Sequence, residues 1–163
     1  MNIEPQIKTV KEKKLIGSHV VMSLAENRVG ALWKNFMPRR NEIKNRVSGD
    51  LVSMRVYTDD YNFQQINPDM KFEKWATVEV SDFDNVPEGM QIFILPAGLY
   101  AVFHYKGLNT DTKIFEFIFG IWVPGSNYEL DTRPHFEVLG EKYKNGDPES
   151  EEEIWVPVKL QLA

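Results

Sequence analysis

Apolar and polar residues alternate along several stretches of this chain, and between them run two stretches whose apolar residues recur at helical spacing. The run 14 to 24, KLIGSHVVMSL, is mostly apolar, with charge before it and Glu26-Asn27 after it, which predicts a strand. Asn27 then has the character of an N-cap. Val29, Leu32, Trp33 and Phe36 follow with a period near 3.6, and Pro38 ends or interrupts that helix before 41 to 46. LVSMRVYT (51 to 58) and FEKWATVEV (72 to 80) alternate as strands do, joined by a polar, Asp- and Asn-rich connection that holds Pro68.

The second half repeats this order. After Pro96-Ala97-Gly98, GLYAVFHYKG (98 to 107) predicts a strand, and Thr110 or Asp111 caps an aromatic helix, KIFEFIFGIWV, that stops at Pro124-Gly125. HFEVLGEKY (135 to 143) and EIWVPVKL (153 to 160) are two further alternating segments, separated by the turn-forming Asn145-Gly146-Asp147-Pro148. Strand, helix, strand, strand therefore occurs twice, at about 11 to 82 and 97 to 163, within a single domain covering 1 to 163. Glu73-Lys74-Trp75 and Glu153-Ile154-Trp155 occupy matching places in the two last strands, which supports a duplication. The expected fold class is α+β: a curved antiparallel sheet with two helices on one face.

Alternate side chains of a strand face opposite sides. On the last strand Ile154, Val156, Val158 and Leu160 form an apolar row suited to the helices, which turns Glu153, Trp155, Pro157 and Lys159 away. The same rule seats Phe136 and Val138 with the helices, leaving His135, Glu137, Leu139 and Glu141 opposite. It seats Ala76, Val78 and Val80 with the helices, leaving Glu73, Trp75, Thr77 and Glu79 opposite. Ser53, Arg55 and Tyr57 likewise separate from Val52, Met54 and Val56. An antiparallel sheet can simply show water a polar face. Here that face is aromatic as well as acidic, and sheltered indoles with a few carboxylates are the makings of a small-molecule cleft. Such a cleft suits a cationic or hydrogen-bond-donating ligand.

Length and composition narrow the functions available. The 163 residues suffice for one domain, and 42% hydrophobic residues suffice for a core. A net charge of -5 offers no footprint for direct nucleic-acid binding, and the basic run Lys8 to Lys14 reads as a solvated strand entrance. The absence of cysteine removes disulfides, thiolate metal sites and a cysteine nucleophile, and accords with a cytoplasmic location. Neither a signal-peptide core nor a membrane-length apolar run is present. His19, His104 and His135 are too scattered for a metal site, and no phosphate loop or serine elbow occurs, so no metal and no cofactor is expected. The acid run Glu149 to Glu153 reads as a solvated turn rather than a calcium loop.

The stretches VPEGMQIFILPAGLYAVFHYKG (86 to 107), RPHFEVLGEKY (133 to 143) and EEEIWVPVK (151 to 159) carry a resemblance. The chain resembles the GyrI-like small-molecule-binding domain, which is the effector-binding domain of AraC-type and MerR-type multidrug regulators and also occurs alone. The resemblance runs from about residue 10 to the end and implies a ligand cleft on the sheet face away from the helices, for bulky and often cationic aromatic compounds. It implies Glu137 as ligand anchor, with Glu153 and Trp155 lining the cleft. Leu139 stands where an aromatic is common, and the DNA-binding region of the regulator pattern is not expected before the domain. Trp75, Tyr57, Phe103 and Tyr105 complete the candidate ligand contacts. The first expectation is a stand-alone binding protein for hydrophobic or cationic small molecules. Two alternatives are a hydrolase of strained cyclopropane-containing compounds using Glu137 or Glu153, and a gyrase-inhibitor-like module with a protein partner. The aromatic helix bearing Phe115, Phe117, Phe119 and Trp122 is broader than one core stripe requires, which offers a homodimer surface.

Overall fold

Each pair of alternating segments forms an antiparallel ladder in the computed structural model, which describes residues 3–162. Strand β3 (Leu51–Val56) pairs with β4 (Phe72–Val80), and β8 (His135–Leu139) with β9 (Glu151–Leu160). The apolar runs that open the two halves become β2 (Lys13–Met22), beside β4, and β6 (Gly98–Lys106), beside β9. The halves meet where β3 pairs antiparallel with β8, Ser53 lying opposite Glu137 and Val52 opposite Val138. Three further strands escaped the sequence reading: β1 (Gln6–Val10), β5 (Gln91–Leu95) and β7 (Tyr128–Leu130). Edge strands β1 and β5 are mostly exposed, so neither carries the alternation that marks a half-buried strand. The path through the curved sheet is β1-β6-β9-β8-β3-β4-β2-β5, with β7 added on β9. The α+β sheet with its two helical segments is thus as expected.

Helix α1 (Val29–Phe36) starts where the Asn27 carboxamide oxygen accepts a hydrogen bond from the Val29 N–H at 2.9 Å, and continues through Pro38 as a 3-10 turn, Met37–Glu42. Its Leu32 and Phe36 pack on Ile16, Ala76, Val78 and Val80 of β2 and β4. Helix α2 (Lys113–Phe117) passes through a π turn, Ile118–Trp122, into the short α3 (Val123–Gly125). Ile114, Ile118 and Val123 pack on Phe103, Ile154 and Val156 of β6 and β9. Each helical segment therefore covers the outer strands of its own half.

A second apolar layer fills the opposite face. Val52, Met54, Trp75, Tyr100 and Phe136 meet there with Val10, Leu15 and Leu95 from the ends of the strands beside the sheet margins. Phe136 and Trp155 stack with centroids 5.1 Å apart, and Tyr100 meets Phe136 edge-on at 5.1 Å. This corrects the expected facing of two strands. Register sets Met54 against Trp75 and Phe136 against Trp155, so Val52, Met54, Val56, Phe136 and Val138 turn away from the helices. Ser53, Arg55, Glu137 and Leu139 turn toward them. The expectation failed because it gave every apolar row to the helices, whereas the curl of the sheet buries a second set.

The Glu-x-Trp motif has a local purpose in this layer. The Trp75 indole N–H donates to Glu73 Oε1 at 2.9 Å, and that of Trp155 to Glu153 Oε1 at 3.3 Å. Each carboxylate satisfies the polar edge of a packed indole. Because Phe136 is buried in this stack, Phe136→Ala should lower unfolding free energy by about 3–5 kcal/mol, measured by urea denaturation. A loss under about 1 kcal/mol would contradict the assigned face.

Candidate functional site

Strands β3 and β8 lie at the centre of the sheet, between the strands β4 and β9 on which the two helical segments pack. Between α1 and α2, above this central pair, lies a cavity of about 790 Å³. Trp33 and Met37 form one wall, Phe115 of α2 the other, and Tyr143 and Asn145 stand in the loop after β8. The floor is ionisable: Arg55 from β3, Lys74 from β4, Glu137 from β8 and Glu152 from β9. Lys74 continues the helix-facing row of Ala76, Val78 and Val80 two residues back, and Glu152 continues that of Ile154, Val156 and Val158. Alternation thus carries both charged side chains beneath the helical layer.

Lys74 is 3% exposed and Glu152 6%. Arg55 and Lys74 lie directly opposite across the β3–β4 ladder. The Arg55 guanidinium rests over the Phe115 ring at 5.3 Å, reaches Glu137 Oε1 at 4.0 Å, and donates to the Tyr57 hydroxyl at 3.4 Å. Burial raises the carboxyl pKa of Glu152 well above the carboxylate range, and the neighbouring Glu137 charge and a hydrogen bond to Glu137 raise it further. Burial thus favours the protonated form at this pair of carboxyls. Burial, with the Arg55 charge, lowers Lys74 to about 7. The same two causes lower His135 to about 3, leaving a neutral ring stacked on Phe63 at 5.0 Å.

Of the residues singled out from sequence, Glu137 and Leu139 line this cavity. Tyr57 borders a narrow recess shared with Arg55, Phe115 and Glu137, its ring among Tyr61, Phe63 and Phe72. The cavity lies on the helix side, and this corrects the cleft expected on the other face. Trp75, Trp155 and Glu153 belong to that other face, where the indoles pack on the core and Trp75 borders a shallow depression with His19 and Ile92; Trp155 also adjoins the narrow recess. Phe103 and Tyr105 are buried beneath α2, the Tyr105 hydroxyl donating to the Leu108 carbonyl at 2.8 Å. The acid run read as a solvated turn enters β9 at Glu151, and its Glu152 is buried. Lys74, Glu152, Trp33 and Phe115 were missed as site residues. For the first two a signal existed: a lone charge on the parity of an apolar row.

An α+β sheet with a cavity over its central strand pair is the architecture of an effector-binding domain. Residues 6–158 match the family model described as Cass2, integron-associated effector binding protein, and the chain belongs to that family. This agrees with the resemblance seen in residues 86 to 107, 133 to 143 and 151 to 159. The transcriptional regulator BrlR of Pseudomonas aeruginosa is 27% identical over 146 residues, 88% of this chain and 51% of BrlR. The chain thus spans about half the length of that curated relative. Among solved structures, SAV2435 bound to tetraphenylphosphonium aligns with a TM-score of 0.69 at 18% identity, covering 96% of this chain and 94% of its own. The EcmrR C-terminal domain aligns at 0.71 and 15% identity, covering 99% and 100%. The Vibrio cholerae integron cassette protein VCH_CASS2 aligns at 0.65 and 15%, covering 98% and 100%. These three likenesses are of fold. Among the described residues no helix is long and apolar enough to cross a membrane.

The buried floor makes stability depend on pH. Glu152 has a folded pKa above its ordinary 4.5, so the folded chain binds more protons than the unfolded one upward from there, and stability falls as pH rises. Lys74 acts oppositely between about 7 and 10.5, and His135 between about 3 and 6.5. Glu152→Gln removes only the first contribution. Its stability relative to wild type should therefore grow by up to about 2 kcal/mol from pH 5 to pH 7, read from urea midpoints. A difference that stays constant with pH would show that Glu152 is ionised in the folded protein.

Proposed function

We propose that this chain binds hydrophobic aromatic small molecules, cationic ones among them, in the cavity between its helical segments. The observation that carries this is the 790 Å³ cavity whose walls include Trp33, Met37 and Phe115 and whose floor presents Glu137. A flat ring inserted there replaces water on apolar surface. A cationic or donor-bearing group finds the Glu137 carboxylate and the aromatic faces beside it. The family membership and the tetraphenylphosphonium bound to SAV2435 support the same reading. In this reading the chain is one cytoplasmic domain made of two duplicated strand-helix-strand-strand units, meeting at β3 and β8.

Titration with tetraphenylphosphonium should quench Trp33 fluorescence saturably. Glu137→Gln should weaken binding at least about tenfold, with Trp33→Phe removing the signal. Equal affinity of wild type and Glu137→Gln, or no binding to either, would overturn the assignment.

A second reading, hydrolysis, has one observation in its favour. Burial favours the protonated form of Glu152, and Glu137 lines the same apolar-walled floor, which places a candidate general acid beside a candidate general base. A hydrolase from Listeria innocua shares the fold at 10% identity and a TM-score of 0.59. Turnover of a strained cyclopropane electrophile that disappears in both Glu137→Gln and Glu152→Gln would establish it. Saturable binding without turnover would leave binding alone.

A further inference from the structure

Two of the four ionisable groups on the cavity floor are basic, and neither is fully partnered. Lys74 lines the cavity at 3% exposure and makes no salt bridge or side-chain hydrogen bond among the described residues. Arg55 also lines it, and its Nε is buried without a hydrogen-bond partner. Its approach to Glu137, at 4.0 Å, is too long for a paired fork of hydrogen bonds. The two residues stand directly opposite across the β3–β4 ladder, where like charges repel. A buried donor left unmade is costly, and so is a pair of cations facing one another. The acids on the same floor are Glu137 and Glu152. A bare cation engages Glu137 and leaves this opposition in place. A ligand that brings its own anionic oxygens relieves it.

We infer that the ligand is amphoteric: an aromatic compound whose anionic oxygen group docks between Arg55 and Lys74 while its cationic or donor-bearing part lies at Glu137. This rests on the binding reading above and adds the second half of the ligand's chemistry to it. The guanidinium borders the cavity and supplies N–H donors at its wall, Lys74 supplies its amine, and the anion lies between the two opposed basic groups. Arriving negative charge also favours the protonated amine of Lys74.

A dye and its ester isolate the acidic group. Rhodamine B carries a free carboxylate on a cationic ring system, and its ethyl ester keeps the rings and the cation while masking the acid. Wild-type protein titrated with each at pH 7, followed by fluorescence anisotropy, should bind the acid at least about tenfold more tightly than the ester. Lys74→Met, which keeps the length of the side chain and removes the amine, should bring the acid to the affinity of the ester and leave the ester unweakened. Arg55→Gln should act in the same direction. Equal or tighter binding of the ester by wild type overturns the inference without any variant, as does an unchanged acid-to-ester ratio in Lys74→Met. Failure of both dyes to bind overturns the cavity reading and this inference together, whereas equal affinity for the two overturns only the inference.

Discussion

The pairing of β3 with β8 organises the rest of the molecule. It joins the two halves along one antiparallel ladder, and it lies between the strands on which the two helical segments pack. A helix covers a limited width of sheet, and each one here is occupied by the outer strands of its own half. The middle strands therefore have one uncovered face. Had that face been apolar, the helices would close over it or another molecule would cover it. It carries Ser53, Arg55 and Glu137 instead, and the gap between the helices remains as a cavity.

The opposite face explains why such a cavity keeps its shape. Stacked Phe136 and Trp155, the edge-on Tyr100 and the buried Trp75 make a packed layer directly behind the polar floor. Close-packed interiors yield little to local change. The floor is thereby held between an aromatic core below and helix walls at its sides. Glu73 and Glu153 hold the two indoles by their N–H groups, so these acids serve the scaffold rather than a ligand. The close approach of β2 to β4 belongs to the same scaffold: a Cβ at Gly17 would stand 1.9 Å from the Ala76 carbonyl oxygen, so only glycine fits there.

Charge on the floor is balanced without being neutralised pair by pair. Burial favours the uncharged forms of Glu152, Lys74 and His135, while Arg55 stays charged because its intrinsic pKa is so high. The charge of the floor is therefore set by burial as much as by pairing.

How much of this was legible in the residues varied from strand to strand. The duplicated order of elements, the helix starts and the strand pairs were readable because alternation and helical period are local properties. So was Glu137, through the family resemblance. The exposed edges β1 and β5 were not, since strands without a buried face lack the pattern. Parity along β4 and β9 was read correctly, but the row was not followed back to Lys74 and Glu152. Parity along β3 and β8 was read with the wrong sign. A strand's alternation says which residues share a face and never which face it is; that is decided when curvature buries one row and helix width leaves the other bare. The sequence by itself determined the elements and the partition of side chains within each. Tertiary structure alone decided that indoles pack on the face away from the helices and that four ionisable side chains meet between the helices, because both depend on register across strands far apart in the chain.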